Sequence, residues 1–185
     1  MLVLHIKQSQ TSARAGISLL EVLIAVAVFT ISLGPITSSL FTSHSLVATN
    51  RETSIAMDAA LSMVAELKTE DFSTLFRRYN PNPNDDPGAA GSAPGANFVV
   101  LGLDPLRDDP DGMVGQILFP GTGAELREDG ADRGFGTPRD LNGDGVIDAT
   151  DHGDDFNILP VMVRIEWTGH SGDRRIEFLS ALTDA

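Results

Sequence analysis

Residues 16–36 read Gly-Ile-Ser-Leu-Leu-Glu-Val-Leu-Ile-Ala-Val-Ala-Val-Phe-Thr-Ile-Ser-Leu-Gly-Pro-Ile, and the fold turns on how this stretch is read. From Ile17 to Ile36 there are twenty residues with a single charge, Glu21. At about 1.5 Å rise per residue, such a run matches a hydrocarbon core of roughly 30 Å. It predicts a membrane-spanning helix. A carboxylate inside that helix costs about 2.5 kcal/mol or more to insert, which marks Glu21 as a functional residue. Lys7 and Arg14 precede the run and no acid does, so the N-terminal end is expected to stay in the cytoplasm while the remainder crosses. Ala25-Val26-Ala27 has the small-x-small pattern of a signal peptidase site, but it lies inside the apolar run with no polar segment before it. A cleaved secretory signal fails on that ground.

The basic leader, Gly16, and then Ile17-Ser18-Leu19-Leu20-Glu21-Val22-Leu23-Ile24-Ala25 resemble the prepilin processing signature of type IV pilins and type II secretion pseudopilins. The resemblance covers about residues 14 to 45 and implies a specific history. A membrane aspartyl protease, the prepilin peptidase, would cut after Gly16 and methylate the new amine on Ile17. Glu21 falls fifth after the cut, where the family carries its glutamate. Ile17 stands where the family most often has Phe, a departure that bears on methylation more than on cleavage. Pro35 is nineteenth after the cut, a little earlier than the family's commoner proline. A kink, or a place where the helix melts on assembly, is expected there.

With the leader and a long arm removed, about 115 of the 185 residues remain, enough for one small core. The chain has no cysteine, which excludes disulfides, thiol catalysis and thiolate metal sites. The formal net charge is −13, and losing Lys7 and Arg14 with the leader makes the mature side chains two charges more acidic. Such a surface repels nucleic acid and suits divalent cations.

Ser45 to Leu67 is expected to be an amphipathic helix, with Met57, Ala60, Leu61, Val64 and Leu67 recurring at three- and four-residue steps. That stripe should pack on the head. Residues 80–96, rich in Pro, Gly and Asn, are expected to be a mobile surface loop. Asn97–Leu103 and Gln116–Phe119 read as strands, with an acidic, proline-broken turn from Asp104 to Asp111. Near the end, Val161, Val163, Ile165 and Trp167 alternate with Met162, Arg164 and Glu166. A turn over 168–173 and a return strand on which Ile176 and Phe178 alternate with Arg175 and Glu177 complete a hairpin, whose opposed outer charges are expected to pair across the strands. Trp167 belongs to its core face.

One more stretch carries chemistry: Asp140-Leu141-Asn142-Gly143-Asp144-Gly145-Val146-Ile147-Asp148-Ala149-Thr150-Asp151. It fits a twelve-position calcium loop with ligands at 1, 3, 5, 7, 9 and 12, here Asp140, Asn142, Asp144, the Val146 carbonyl, Asp148 and Asp151. Gly145 holds position 6, where a positive φ is needed, and Ile147 is the expected apolar anchor. Its flanks are not helical, so it reads as a lone loop in a structural role; the alternative is a solvated acidic turn. His152 beside it reads as a surface histidine. No catalytic constellation, phosphate loop or zinc spacing is present in the sequence.

The expected fold class is α+β and pilin-like: a leader at 1–16, a transmembrane and assembly helix at 17–41, and an amphipathic helix at 42–79. A β-rich head follows at 80–185. The resemblance implies a structural subunit, not an enzyme, in a bacterial inner membrane with its head periplasmic. Its partners would be prepilin peptidase, the membrane and other pilin or pseudopilin subunits. The competing readings are a single-span, non-assembling calcium-binding protein and a tethered enzyme.

Overall fold

A computed structural model describes residues 18–132 and 134–184. Gly16 and Ile17 lie outside the described residues. The chain divides into two compact units, Met1–His44 and Ser45–Ala185. Helix α1, Leu19–Leu67, contributes to both.

In the first unit, α1 begins after Ser18, whose Oγ accepts the Leu20 N–H (3.3 Å) and whose carbonyl accepts the Glu21 N–H (2.9 Å). These bonds satisfy amide groups that a helix start leaves orphaned. Pro35 lies within the helix and does not end it, so the expected break is a lost hydrogen bond to the Ile31 carbonyl inside a continuing helix. The large apolar side chains named in this unit, from Leu19 to Phe41, are exposed.

The second unit holds the core. Along α1 the buried positions are Ala56, Ala60, Val64 and Leu67, while Met57 and Leu61 are 57% and 50% exposed. The expected stripe is therefore displaced by one residue over its first two turns. Ala56 and Ala60, a four-residue step apart, lie on the face that enters the core, and the longer Met57 and Leu61 are turned aside. The helix ends at Leu67 and a second helix α2, Phe72–Tyr79, starts afresh. Asp71 caps it by accepting the Ser73 N–H (3.0 Å), and Arg77 and Arg78 sit in its last turn, where the helix dipole favours cations. Its buried Leu75, Phe76 and Tyr79 join the core, with Phe76 edge-on to Phe119 at 5.2 Å.

The sheet is antiparallel, in order β1-β2-β3-β4: Asn97–Phe98, Gly115–Leu118, Ile158–Gly169 and Gly172–Thr183. This confirms the α+β, pilin-like architecture. Val161, Val163, Ile165 and Trp167 are buried as the alternation required. Opposite them on β4, Ile176 faces Ile165 and Phe178 faces Val163. On the other face Arg164 Nε donates to Glu177 Oε1 at 2.9 Å, the expected cross-strand pair. The turn is tighter than expected, with β3 and β4 paired out to Gly169 and Gly172 around His170 and Ser171. The Glu52 carboxylate on α1 accepts the His170 N–H (3.1 Å) and the Trp167 indole N–H (3.4 Å), tying helix to hairpin.

The strand expected over 97–103 stops at Phe98. Beyond it the chain turns at Gly102, whose φ is +92°, and Leu101 is 87% exposed. The Phe98 ring lies over Gly115, where an added Cβ would come within 2.4 Å of it. Any side chain there would displace the Phe98 ring. The 80–96 segment is also better anchored than its composition implied. Asn80 is buried, its side chain donates to Asp85 (2.9 Å), and Gly95 N–H returns to the Arg78 carbonyl (3.1 Å).

Candidate functional site

The first candidate site is the start of α1. Two hydroxyls in the apolar run and one just past it are satisfied within the helix: Thr30 Oγ1 donates to the Val26 carbonyl (2.8 Å), Ser32 Oγ to Val28 (2.8 Å) and Thr37 Oγ1 to Leu33 (2.9 Å). A segment so arranged presents no unpaired hydroxyl to lipid. Helix α1 is long and apolar enough to cross a membrane. Glu21 is the exception, since its carboxylate makes no hydrogen bond among the described residues. It stands in the first turn, where the helix dipole favours an anion, on a face shared with Ala25 and Phe29. The small Ala25 leaves space one turn along. Ser18 and Glu21 have the S-x-x-E spacing of a capping box, but Ser18 Oγ takes the Leu20 N–H and the Glu21 carboxylate does not close the box.

The second candidate is the acidic loop. Asp140 accepts the Gly143 N–H and the Gly145 N–H (2.8 Å), and Gly145 has φ +85°, as position 6 requires. Asn142 Oδ1 accepts the Asp144 N–H (3.1 Å), Asp144 Oδ1 the Val146 N–H (2.7 Å), and Asp148 Oδ1 the Thr150 N–H (2.7 Å). Each acid is thus turned onto nearby backbone amides. Asp151 serves elsewhere, its Oδ1 accepting Leu126 N–H (2.9 Å) and Gly153 N–H (3.0 Å). Among the described residues no group of three His, Asp or Glu side chains stands together as a metal centre. Ile147 is half exposed and anchors nothing. The buried anchor is Leu141, whose carbonyl accepts the Asn157 and Ile158 N–H groups at 2.8 and 3.0 Å.

Beneath the loop is a buried pair that the sequence did not announce. Glu128 is 0% exposed; its Oε1 accepts the Leu141 and Asn142 N–H groups, and its Oε2 lies 3.7 Å from His152 Nε2. His152 is buried, not at the surface. Its Nε2 is 3.4 Å from Asp148 and its Nδ1 is 3.0 Å from Asp155. Desolvation opposes protonation of this ring, but the Asp155 hydrogen bond and the Glu128 charge outweigh it, and its pKa is raised. The pairing rests on contacts between residues far apart in sequence, and no local pattern around Glu128 signals it.

Residues 11–37 match a known family, the prokaryotic N-terminal methylation motif. The chain carries a pilin-type prepilin signature. No curated protein and no solved structure matches the chain. The signature implies processing by a peptidase and assembly with other pilin-like subunits, and with the apolar helix it accords with membrane anchoring. The matched residues contain Gly16, Ile17 and Glu21 and end just past Pro35. The acidic loop lies wholly outside them.

Proposed function

We propose that the protein is a minor pilin or minor pseudopilin of a type IV pilus or type II secretion filament. It is made as a precursor, inserted with its N-terminus cytoplasmic and its head periplasmic, cut by prepilin peptidase after Gly16, and assembled through residues 17–41. The observation that carries this is Glu21, a single carboxylate without a partner among the described residues, in an apolar run whose Thr30 and Ser32 hydroxyls are internally satisfied. A mature amine on Ile17 adds its charge to the positive end of the helix dipole. Pairing between that amine and Glu21 of a neighbouring subunit offsets the cost of burying both and sets the axial register, the best-attested use of a buried ion pair. The one-off loops of the head favour a specialised subunit over a major one.

The deciding measurement is the N-terminal mass of the protein from native membranes, for wild type, Gly16→Ala and Glu21→Ala. A chain beginning at Ile17, lost in Gly16→Ala, supports the processing step. Cleavage retained with filament incorporation lost in Glu21→Ala places the carboxylate in assembly. An uncut chain in all three samples sinks the reading and leaves a membrane-anchored head.

For the head we propose structural calcium on the 140–151 loop, held by Asp140, Asn142, Asp144, the Val146 carbonyl and Asp148. The spacing, the all-oxygen donor set and the positive φ at Gly145 support it. Asp144, Asp148 and Asp151 meet backbone amides through Oδ1 alone and Asp140 through both oxygens, and a carboxylate with about four acceptor sites can hold an amide and the ion together. Thermal unfolding with calcium and with a chelator tests this. Calcium at a hundredfold excess over Kd should add about 2.7 kcal/mol, and Asp144→Ala should abolish the gain. Equal melting with and without calcium in wild type would remove the ion from the account.

A further inference from the structure

One buried carboxylate beneath the acidic loop is only half satisfied. Glu128 is 0% exposed; its Oε1 accepts the Leu141 and Asn142 N–H groups, and its Oε2 accepts no hydrogen bond among the described residues. His152 Nε2 faces that oxygen at 3.7 Å, beyond hydrogen-bond reach. The nitrogen is itself buried and has no hydrogen-bond partner among the described residues. A carboxylate removed from water in this way is costly unless a cation or a further donor meets its second oxygen.

The free oxygen is aimed at the loop. Leu141 and Asn142 are loop positions 2 and 3, so Oε1 seats the carboxylate under the first turn, next to Asp140 and Asn142. On the Oε2 side, His152 Nε2 also lies 3.4 Å from Asp148 Oδ1, position 9. Glu128 therefore stands between the opening ligands and the ninth. In loops of this kind a long glutamate at position 12 closes the shell around the ion. Position 12 here is Asp151, which is one methylene shorter and exposed. Its Oδ1 accepts the Leu126 N–H (2.9 Å) and the Gly153 N–H (3.0 Å). Leu126 is two residues before Glu128, so Asp151 fastens the strap that carries the longer carboxylate. The same strap is held by the His152 N–H on the Leu126 carbonyl (2.8 Å) and the Arg139 N–H on the Glu128 carbonyl (3.1 Å).

We propose that Glu128, from outside the twelve positions, closes the calcium shell through Oε2 in place of Asp151. Asp140, Asn142, Asp144, the Val146 carbonyl and Asp148 supply the other ligands, all of them oxygen, as calcium prefers. Oε1 keeps its two amides, so one carboxylate serves the loop and the ion together. The ion then ties the strap at 125–128 to the loop at 140–151. The inference rests on the calcium reading of the loop and adds a ligand that the loop's own spacing does not contain.

Calorimetric calcium titration of the full-length chain in detergent micelles tests it with two variants of unchanged shape. Glu128→Gln and Asp151→Asn each remove one negative charge and each keep a carbonyl oxygen for the amides, so the difference between them reads contact with the ion. Glu128→Gln should weaken calcium binding at least about tenfold, and Asp151→Asn distinctly less. Equal losses, or a larger loss in Asp151→Asn, would overturn the proposal and leave the calcium loop standing. A wild-type chain that binds no calcium would overturn both. A second measurement is independent of how either variant folds. Residues 140–151 contain no glutamate. Calcium should therefore shift a glutamate carboxylate band in the infrared difference spectrum of the wild-type chain carrying carbon-13-labelled glutamate. A spectrum in which only aspartate bands move would overturn the role given to Glu128.

Discussion

The two halves of helix α1 have opposite relations to water. From Leu19 to Phe41 the helix is the more apolar and its large side chains are exposed. From Ser45 to Leu67 it is more polar, yet it buries Ala56, Ala60, Val64 and Leu67 in the core of the head. Apolar content therefore does not measure burial within a chain. The first half is unmatched because what covers it, lipid or a sister helix, is not in the chain. The second half is matched because one face of it, Ala56, Ala60, Val64 and Leu67, is covered by the core of its own head.

Mutations can break this comparison, and the largest effects should lie in the head. Trp167→Ala removes a buried side chain of the β3 core face and should cost about 3–5 kcal/mol, read as a lower denaturation midpoint. A cost under one kcal/mol would mean the hairpin is not the core. Ala60→Leu should cost about 1–3 kcal/mol through overpacking, although it makes the helix more apolar. Stabilisation instead would show that position 60 is not tightly packed in the core. Glu128→Ala leaves the buried Leu141 N–H without its acceptor and should cost about 1–3 kcal/mol. Met57→Ala, one position from the buried stripe, should stay within about 0.5 kcal/mol. Phe29→Ala should leave head melting unchanged while altering membrane or filament association. A shift in head melting with Phe29→Ala would erase the distinction between the two halves.

The acidic loop and the N-terminal arm differ in a parallel way. At the arm, Glu21 is conspicuous because a charge in an apolar run is rare, and both the sequence and the family match point to the same few residues. At the loop, the spacing names six ligands, but the carboxylates lie on backbone amides and Asp151 belongs to the strap that holds Leu126. Asp-Gly patterns encode tight turns and cation loops with the same letters, because both need short acceptors and positive φ. Calcium titration separates the two uses, and the chelated protein should keep its turns.

What the sequence determined by itself is whatever one segment can encode alone. The apolar run, the Glu21 offset, the alternation of Val161, Val163, Ile165 and Trp167, and the cross-strand charges were readable because period and composition are local. Only the tertiary structure decided that Ala56 joins Ala60 in the core while Met57 and Leu61 stay out of it, since that depends on what lies opposite. It also decided that β1 stops at Phe98, where the ring covers Gly115 and the chain turns away. The burial of Glu128 against His152 and the open length of β4 belong to the same class. Each depends on a neighbour far along the chain, and no window of adjacent residues contains that neighbour.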